Sequence, residues 1–222
     1  MIYINKCLKE KDYNISDIVF YDRLSDEIIE KGKFIFGSIS DANYLKRNGY
    51  NDKVSFWNLK VSEFLPQITN FYINYKDSYF KQVCMLNDND IDMFCRSDSG
   101  CKLFSGQILD KYSINLIKST LQPDDLLFLS NKRIIVNERR YWIYNNKIVT
   151  SIGYPKDNNE NYDNFVNELV NYWCPDILYT LDVGTLVSNQ KPYVIEYNCW
   201  STSGFYDANL NKIIEATNEI KV

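Results

Sequence analysis

A mixed α+β fold is predicted by three observations. Short apolar runs of strand length recur along the 222 residues. Helical spacings fall between them without strict βαβ alternation, which favours α+β lobes over one doubly wound sheet. At 45% apolar and 24% charged residues, the chain has an ordinary globular balance. Its length suffices for one sizeable core, or for two small lobes sharing one.

The first stretch, 1–66, reads as a small α/β unit. Ile2-Tyr3-Ile4, Ile18-Val19-Phe20 and Phe34-Ile35-Phe36 are strand-length apolar runs. Phe36-Gly37-Ser38 makes a tight turn, Ser40 or Asp41 is expected to cap a helix through Arg47, and Asn48-Gly49 stops it. Apolar spacing at Phe64, Ile68, Phe71, Tyr72 and Tyr75 predicts a helix over 64–75. Asn87-Asp88-Asn89-Asp90 is a polar turn, and 91–96 reads as a strand. Residues 126–129 form a buried strand, and 134–143 a longer one. Asn145-Asn146 turns the chain back into a strand at 148–152. A helix is expected at 162–172, strands at 177–183 and 193–198, and a closing helix at 207–220.

No histidine occurs, which excludes Ser-His-Asp triads, Cys-His dyads and His-ligated metals. Chemistry must rest on carboxylates, Lys, Arg, Tyr, Cys or a metal ion. The net charge of −4 gives no global case for nucleic-acid binding. Six cysteines form no CxxC pair, and no apolar run of about eighteen residues or secretory signal stands out. A cytoplasmic protein with free thiols is therefore expected.

Four segments carry candidate chemistry. The richest is 193–206, where a strand places Glu196 and Asn198 two residues apart and so on one face. A carboxylate and an amide oxygen held this way are hard ligands suited to Mg²⁺, although a buried strand can also simply end in polar residues. Asp182, late in the preceding apolar strand, is costly unless paired or metal-bound. If the two strands are antiparallel neighbours, Asp182, Glu196 and Asn198 converge. In 94–106, Arg96 ends a strand and Lys102 returns six residues later, with Gly100 and Gly106 beside them. That pattern suits a phosphate clamp or a solvated charged turn. In 137–144, Glu138 and Arg140 share a strand face, either paired with each other at the surface or facing a ligand. Neither GxxxxGK[ST] nor GxGxxG occurs.

Taken in order, Phe36-Gly37-Ser38, Phe94-x-Arg96 with Lys102-x-Phe104-x-Gly106, Glu138-x-Arg140, Asp182-Val183, and Ile195-Glu196-x-Asn198 with Ser203-Gly204-x-Tyr206 resemble the ATP-grasp superfamily. The likeness is to its divergent phage and bacterial clade, which also includes the eukaryotic assembly factor for translation initiation factor 2. As in that clade, an arginine stands where a lysine usually enters the first lobe.

The resemblance implies an N-terminal α/β subdomain (1–66) and two α+β lobes (67–128 and 129–222) gripping ATP. It implies Arg96 and Lys102 on phosphates, Lys132 near adenine at the hinge, and Glu138 among the nucleotide contacts. Arg140 would reach the γ-phosphate or acyl-phosphate oxygens, and Asp182, Glu196 and Asn198 would hold Mg²⁺. Arg140 and Lys102 would then be the catalytic residues. The activity implied is an ATP-dependent carboxylate–amine ligase working through an acyl phosphate. Its acceptor would be a small amine, a peptide or a protein, with no membrane involved. The alternative implied is an ATP-binding assembly protein without ligation.

Overall fold

The computed structural model describes residues 1–8, 18–100, 102–155 and 159–220. They divide into two compact units. One comprises Met1–Trp57, Asn137–Gly184 and Val194–Val222, and the other Asn58–Val136 and Thr185–Tyr193.

In the first unit, β1 (Ile2–Asn5), β2 (Ile18–Tyr21) and β3 (Phe34–Phe36) form a parallel sheet in the order β2-β1-β3. All of β1 is buried, as expected of a central parallel strand. Helix α1 (Asp26–Lys31) is capped by Ser25. Helix α2 (Ile39–Arg47) is capped by Ser38, not by Ser40 or Asp41 as the sequence suggests. Ser38 leaves β3 in an extended conformation. Its hydroxyl accepts the Asp41 N–H at 3.1 Å, and the Asp41 carboxylate accepts the Ser38 N–H at 3.1 Å. Gly37 is required here, because a Cβ would sit 2.6 Å from the Tyr21 hydroxyl.

A second sheet has the order β11-β10-β8-β9. It is built from β8 (Ile135–Tyr144), β9 (Lys147–Tyr154), β10 (Leu178–Leu186) and β11 (Asn189–Cys199). Asn145 and Asn146, at φ +48° and +59°, make the turn between β8 and β9. Helix α5 (Asp163–Tyr172) buries Val166, Leu169 and Val170. Helix α6 (Leu210–Glu219) buries Leu210, Ile213, Ile214 and Thr217, the i, i+3, i+4, i+7 stripe. Its leucine and two isoleucines pack with Ile2, Ile4, Phe36, Trp142, Trp200 and Phe205 into the main core. Trp142 lies 4.9 Å edge-on from Trp200 and 5.4 Å stacked on Phe205.

In the second unit, β4 (Ser78–Gln82), β5 (Phe94–Ser97), β6 (Gln107–Ile108) and β7 (Leu126–Ser130) form an antiparallel sheet in the order β4-β7-β5-β6. Alternation sends Cys95, Leu127 and Leu129 into a core with Ile114 and Ile117 of α4 (Lys111–Thr120). Phe128 points the other way and meets Phe80 at 5.5 Å and Tyr72 at 5.9 Å.

The helix expected over 64–75 is replaced by α3 (Val61–Phe64) and a run of turns. Tyr72, Ile73 and Asn74 are all buried in succession, which one face of a helix cannot provide. Asp98 holds the start of α3 instead, accepting from the Ser62 N–H at 2.8 Å and the Ser62 hydroxyl at 2.7 Å.

Buried Asp90 is the other polar anchor of this unit. Burial pushes its carboxyl up. The Lys81 ammonium at 2.8 Å, the Asn87 N–H and the Tyr79 hydroxyl outweigh that and hold it below the usual carboxylate range. A depressed carboxyl adds stability that is present above its unfolded value, near 3.9, and lost as pH falls through the folded value. Asp90→Asn is therefore expected to lower stability at pH 7, by about 1–3 kcal/mol, through loss of the charged hydrogen bonds. The gap to wild type should narrow as urea titrations move below about pH 4.

Among the described residues no helix is long and apolar enough to cross a membrane.

Candidate functional site

In the first unit, three neighbouring strands aim polar side chains at one point. β10 is buried along its whole length, so the Asp182 carboxylate enters a region that water does not reach. Unpaired, it would cost several kcal/mol there. β10 lies beside β8 in the sheet, and β8 supplies the partner. Arg140 Nε donates to Asp182 Oδ1 and Arg140 Nη2 to Oδ2, both at 2.7 Å. This is the two-pronged pairing that a planar guanidinium makes with a carboxylate. Arg140 is only 7% exposed, so a pairing at the surface with Glu138 is not what positions it.

β11 follows β10 after two residues, a connection that only antiparallel neighbours permit. It delivers Glu196 and Asn198. Asn198 Nδ2 donates to Asp182 Oδ2 at 3.1 Å and to Glu196 Oε1 at 3.0 Å. One amide thus ties two carboxylates together, and Asn198 Oδ1 accepts no hydrogen bond from the described residues. The expected convergence of Asp182, Glu196 and Asn198 is present in the geometry, joined by Arg140.

The segment after β11 closes over this group. Arg140 Nη1 donates to the Gly204 carbonyl at 3.3 Å, and the guanidinium carbon lies 4.8 Å from the Tyr206 ring centroid. The guanidinium is gripped at its edge by Asp182 and across its face by Tyr206. Tyr206 and Asp207 both hold positive φ, +48° and +64°, an uncommon backbone for such residues. A Cβ on Gly204 would come within 3.1 Å of the Tyr206 ring, so this fold-back favours glycine. Thr180, two residues before Asp182 on β10, meets the Ser203 hydroxyl at 2.8 Å, and Ser203 donates to the Cys199 carbonyl at 2.8 Å. Sequence reasoning missed Thr180, although its place on the strand face of Asp182 was a usable signal. Cys199 is buried, its thiol bonded to the Trp57 carbonyl at 3.1 Å.

The remaining candidates have separate settings. Glu138 lies on β8, two residues before Arg140 and half-buried. Arg96, Lys102 and Lys132 belong to the second unit. Half-buried Arg96 stands on β5 opposite Phe128 of β7. Lys102 is exposed at φ +47°, its N–H bonded to the Ser99 carbonyl at 3.2 Å. Exposed Lys132 follows β7. The glycines of this loop have packing reasons. A Cβ on Gly100 would lie 2.7 Å from the Leu59 backbone, and one on Gly106 would lie 2.7 Å from the Phe94 ring.

Among the described residues no three His, Cys, Asp or Glu side chains gather into a metal cage. The set on β10 and β11 is two carboxylates and an amide. Every donor is a hard oxygen, which fits Mg²⁺ with few protein ligands and the rest supplied by water or phosphate.

No curated protein matches the chain. Solved structures do. D-alanine–D-alanine ligase from Bacillus anthracis aligns at 14% identity over 98% of this chain and 97% of that one, with a TM-score of 0.54. The same enzyme complexed with ATP aligns at 11% identity over 98% and 96%, with a TM-score of 0.52. Cdc123 from Schizosaccharomyces pombe aligns at 10% identity over 64% of this chain and 83% of that one, with a TM-score of 0.40. At these identities the likeness is one of fold. The model of an ATP-grasp domain family, the third family of its clade, matches residues 41–217. A match over most of its length, with strands in the order that brings Arg140, Asp182, Glu196 and Asn198 together, makes this chain a member of that ATP-grasp family.

Proposed function

We propose that the protein is an ATP- and Mg²⁺-dependent ligase that joins a carboxylate to an amine through an acyl phosphate. The observation that carries this reading is the buried network of Arg140, Asp182, Asn198 and Glu196, set in an ATP-grasp chain. We read 1–66 as the N-terminal subdomain, and 67–128 and 129–222 as the lobes that hold ATP. The setting is the cytoplasm.

Glu196, Asn198 through Oδ1, and Asp182 would hold the metal, which when bound neutralises phosphate charge. Asp182 has a second task, fixing the plane of Arg140 so that this cation meets the transferred phosphoryl oxygens. Tyr206 keeps the guanidinium from swinging out of that plane. Arg96 and Lys102 would bind phosphates, Lys132 would lie near adenine, and Glu138 would contact the nucleotide. The substrate carboxylate oxygen attacks the γ-phosphorus and ADP leaves. The amine nitrogen then attacks the acyl carbon, phosphate leaves, and the amine gives up a proton. No side chain needs to become covalently attached, which suits a chain without histidine. Positioning and charge stabilisation do the chemistry.

The test is ADP release with a panel of carboxylates and amines, with mass spectrometry for the joined product. Glu196→Ala is expected to lower turnover by about 10²–10³, the usual loss for one electrostatic contact at a transition state. Turnover unchanged by that substitution would contradict the assignment. So would ADP release with no joined product.

A further inference from the structure

A second cavity lies wholly within the second unit and contains none of the residues placed above at ATP or metal. It has a volume of about 460 Å³ and is lined by Lys76, Arg133, Lys191, Tyr75, Tyr193 and Ser188, among others. Its three charged side chains are all cations, and no carboxylate is part of the lining. That is unusual in a chain of net charge −4. Like charges drawn around one space repel, so such a grouping favours an occupant of opposite sign.

The partners of these cations leave the charge uncancelled. Arg133 Nη2 pairs with Asp77 at 2.5 Å, outside the lining, whereas Arg133 Nε is buried with no hydrogen-bond partner among the described residues. A buried donor without an acceptor costs about 1–3 kcal/mol, and a bound anion would supply the acceptor. Lys191 lies 5.7 Å from the Tyr193 ring centroid, so its ammonium is set beside an aromatic face.

We propose that this cavity is a second binding site, for a small phosphate-bearing anion. Three cations with a hydroxyl from Ser188 suit the several oxygens of a phosphate group better than the two of a carboxylate. The volume falls in the range of small-molecule sites, with room for a ring against Tyr75 or Tyr193. The proposal stands independently of the ligase reading.

Isothermal titration calorimetry of the full chain with inorganic pyrophosphate, in EDTA, tests it. EDTA removes divalent ions, so metal held by Glu196 and Asn198 cannot recruit the probe. Wild type is expected to bind. Lys76→Glu with Lys191→Glu should raise Kd by about tenfold or more, two attractive contacts having become repulsive. The neutral pair Lys76→Gln with Lys191→Gln should fall between. Both lysines are exposed, and thermal melts confirm that each variant is folded; should the Glu pair fail to fold, the Gln pair alone decides. Arg96→Ala and Glu196→Ala should leave Kd within about twofold of wild type. No binding by wild type would overturn the proposal. So would an unchanged Kd in the lysine variants, or binding lost in Arg96→Ala, which would put the anion on the nucleotide residues.

Discussion

Asp182→Ala is expected to lower the free energy of unfolding by about 3–5 kcal/mol, the usual consequence of removing one partner from a buried ion pair. The Asp182 and Arg140 side chains are 2% and 8% exposed, so water cannot take the place of the lost carboxylate. Arg140 would keep its charge but lose the acceptors of Nε and Nη2 together. Asn198 would lose one of its two carboxylate acceptors. Asp182→Asn keeps the shape and one acceptor oxygen, so its loss should be smaller. Urea titrations give both values, with an unchanged m-value showing that the unfolded state is the same. A loss below about 1 kcal/mol would mean that Arg140 finds solvent or another partner, and that the site is not held as described.

Trp142→Ala should be comparably severe, at about 3–5 kcal/mol. The side chain is fully buried and touches both Trp200 and Phe205, which come from the segment after β11. Two residues away on β8 stands Arg140, so the same strand anchors the core and the site. Removing the indole leaves a cavity that rigid aromatic neighbours collapse into only partly. Trp142→Phe should cost less for two reasons. It keeps most of the contacts, and it deletes an indole N–H that is buried without an acceptor among the described residues. Denaturant titrations of the two variants should therefore separate clearly, and equal losses would contradict the packing account.

The strands were legible in the sequence because their signals are local. Asn145-Asn146 announces the β8–β9 hairpin, and the unbroken apolar run around Asp182 announces a strand buried on both faces. The residue types of the site were legible for the same reason, since Glu196 and Asn198 are two apart on one strand. What the sequence hid is non-local. Arg140 and Asp182 are separated by 42 positions and meet only because β10 lies beside β8, a neighbour relation that no periodicity encodes. The capping of α2 was misplaced by two residues because Ser38, Ser40 and Asp41 all suit an N-terminus. The extended exit from β3 decides for Ser38. The helix expected over 64–75 failed because its apolar positions are buried on several sides, not along one stripe. Gly100 and Gly106 looked like an anion cradle, whereas close backbone and ring contacts explain both.

The central claim is that Arg140, Asp182, Glu196 and Asn198 serve a bound Mg²⁺ and nucleotide. The most direct test is unfolding free energy with and without Mg·ATP. A ligand at a hundredfold over its Kd adds about 2.7 kcal/mol to the folded state. Wild type should show that gain, Glu196→Ala should lose most of it at the same concentration, and EDTA should abolish it. Stability of the wild-type chain that is indifferent to Mg·ATP at every concentration would contradict the claim.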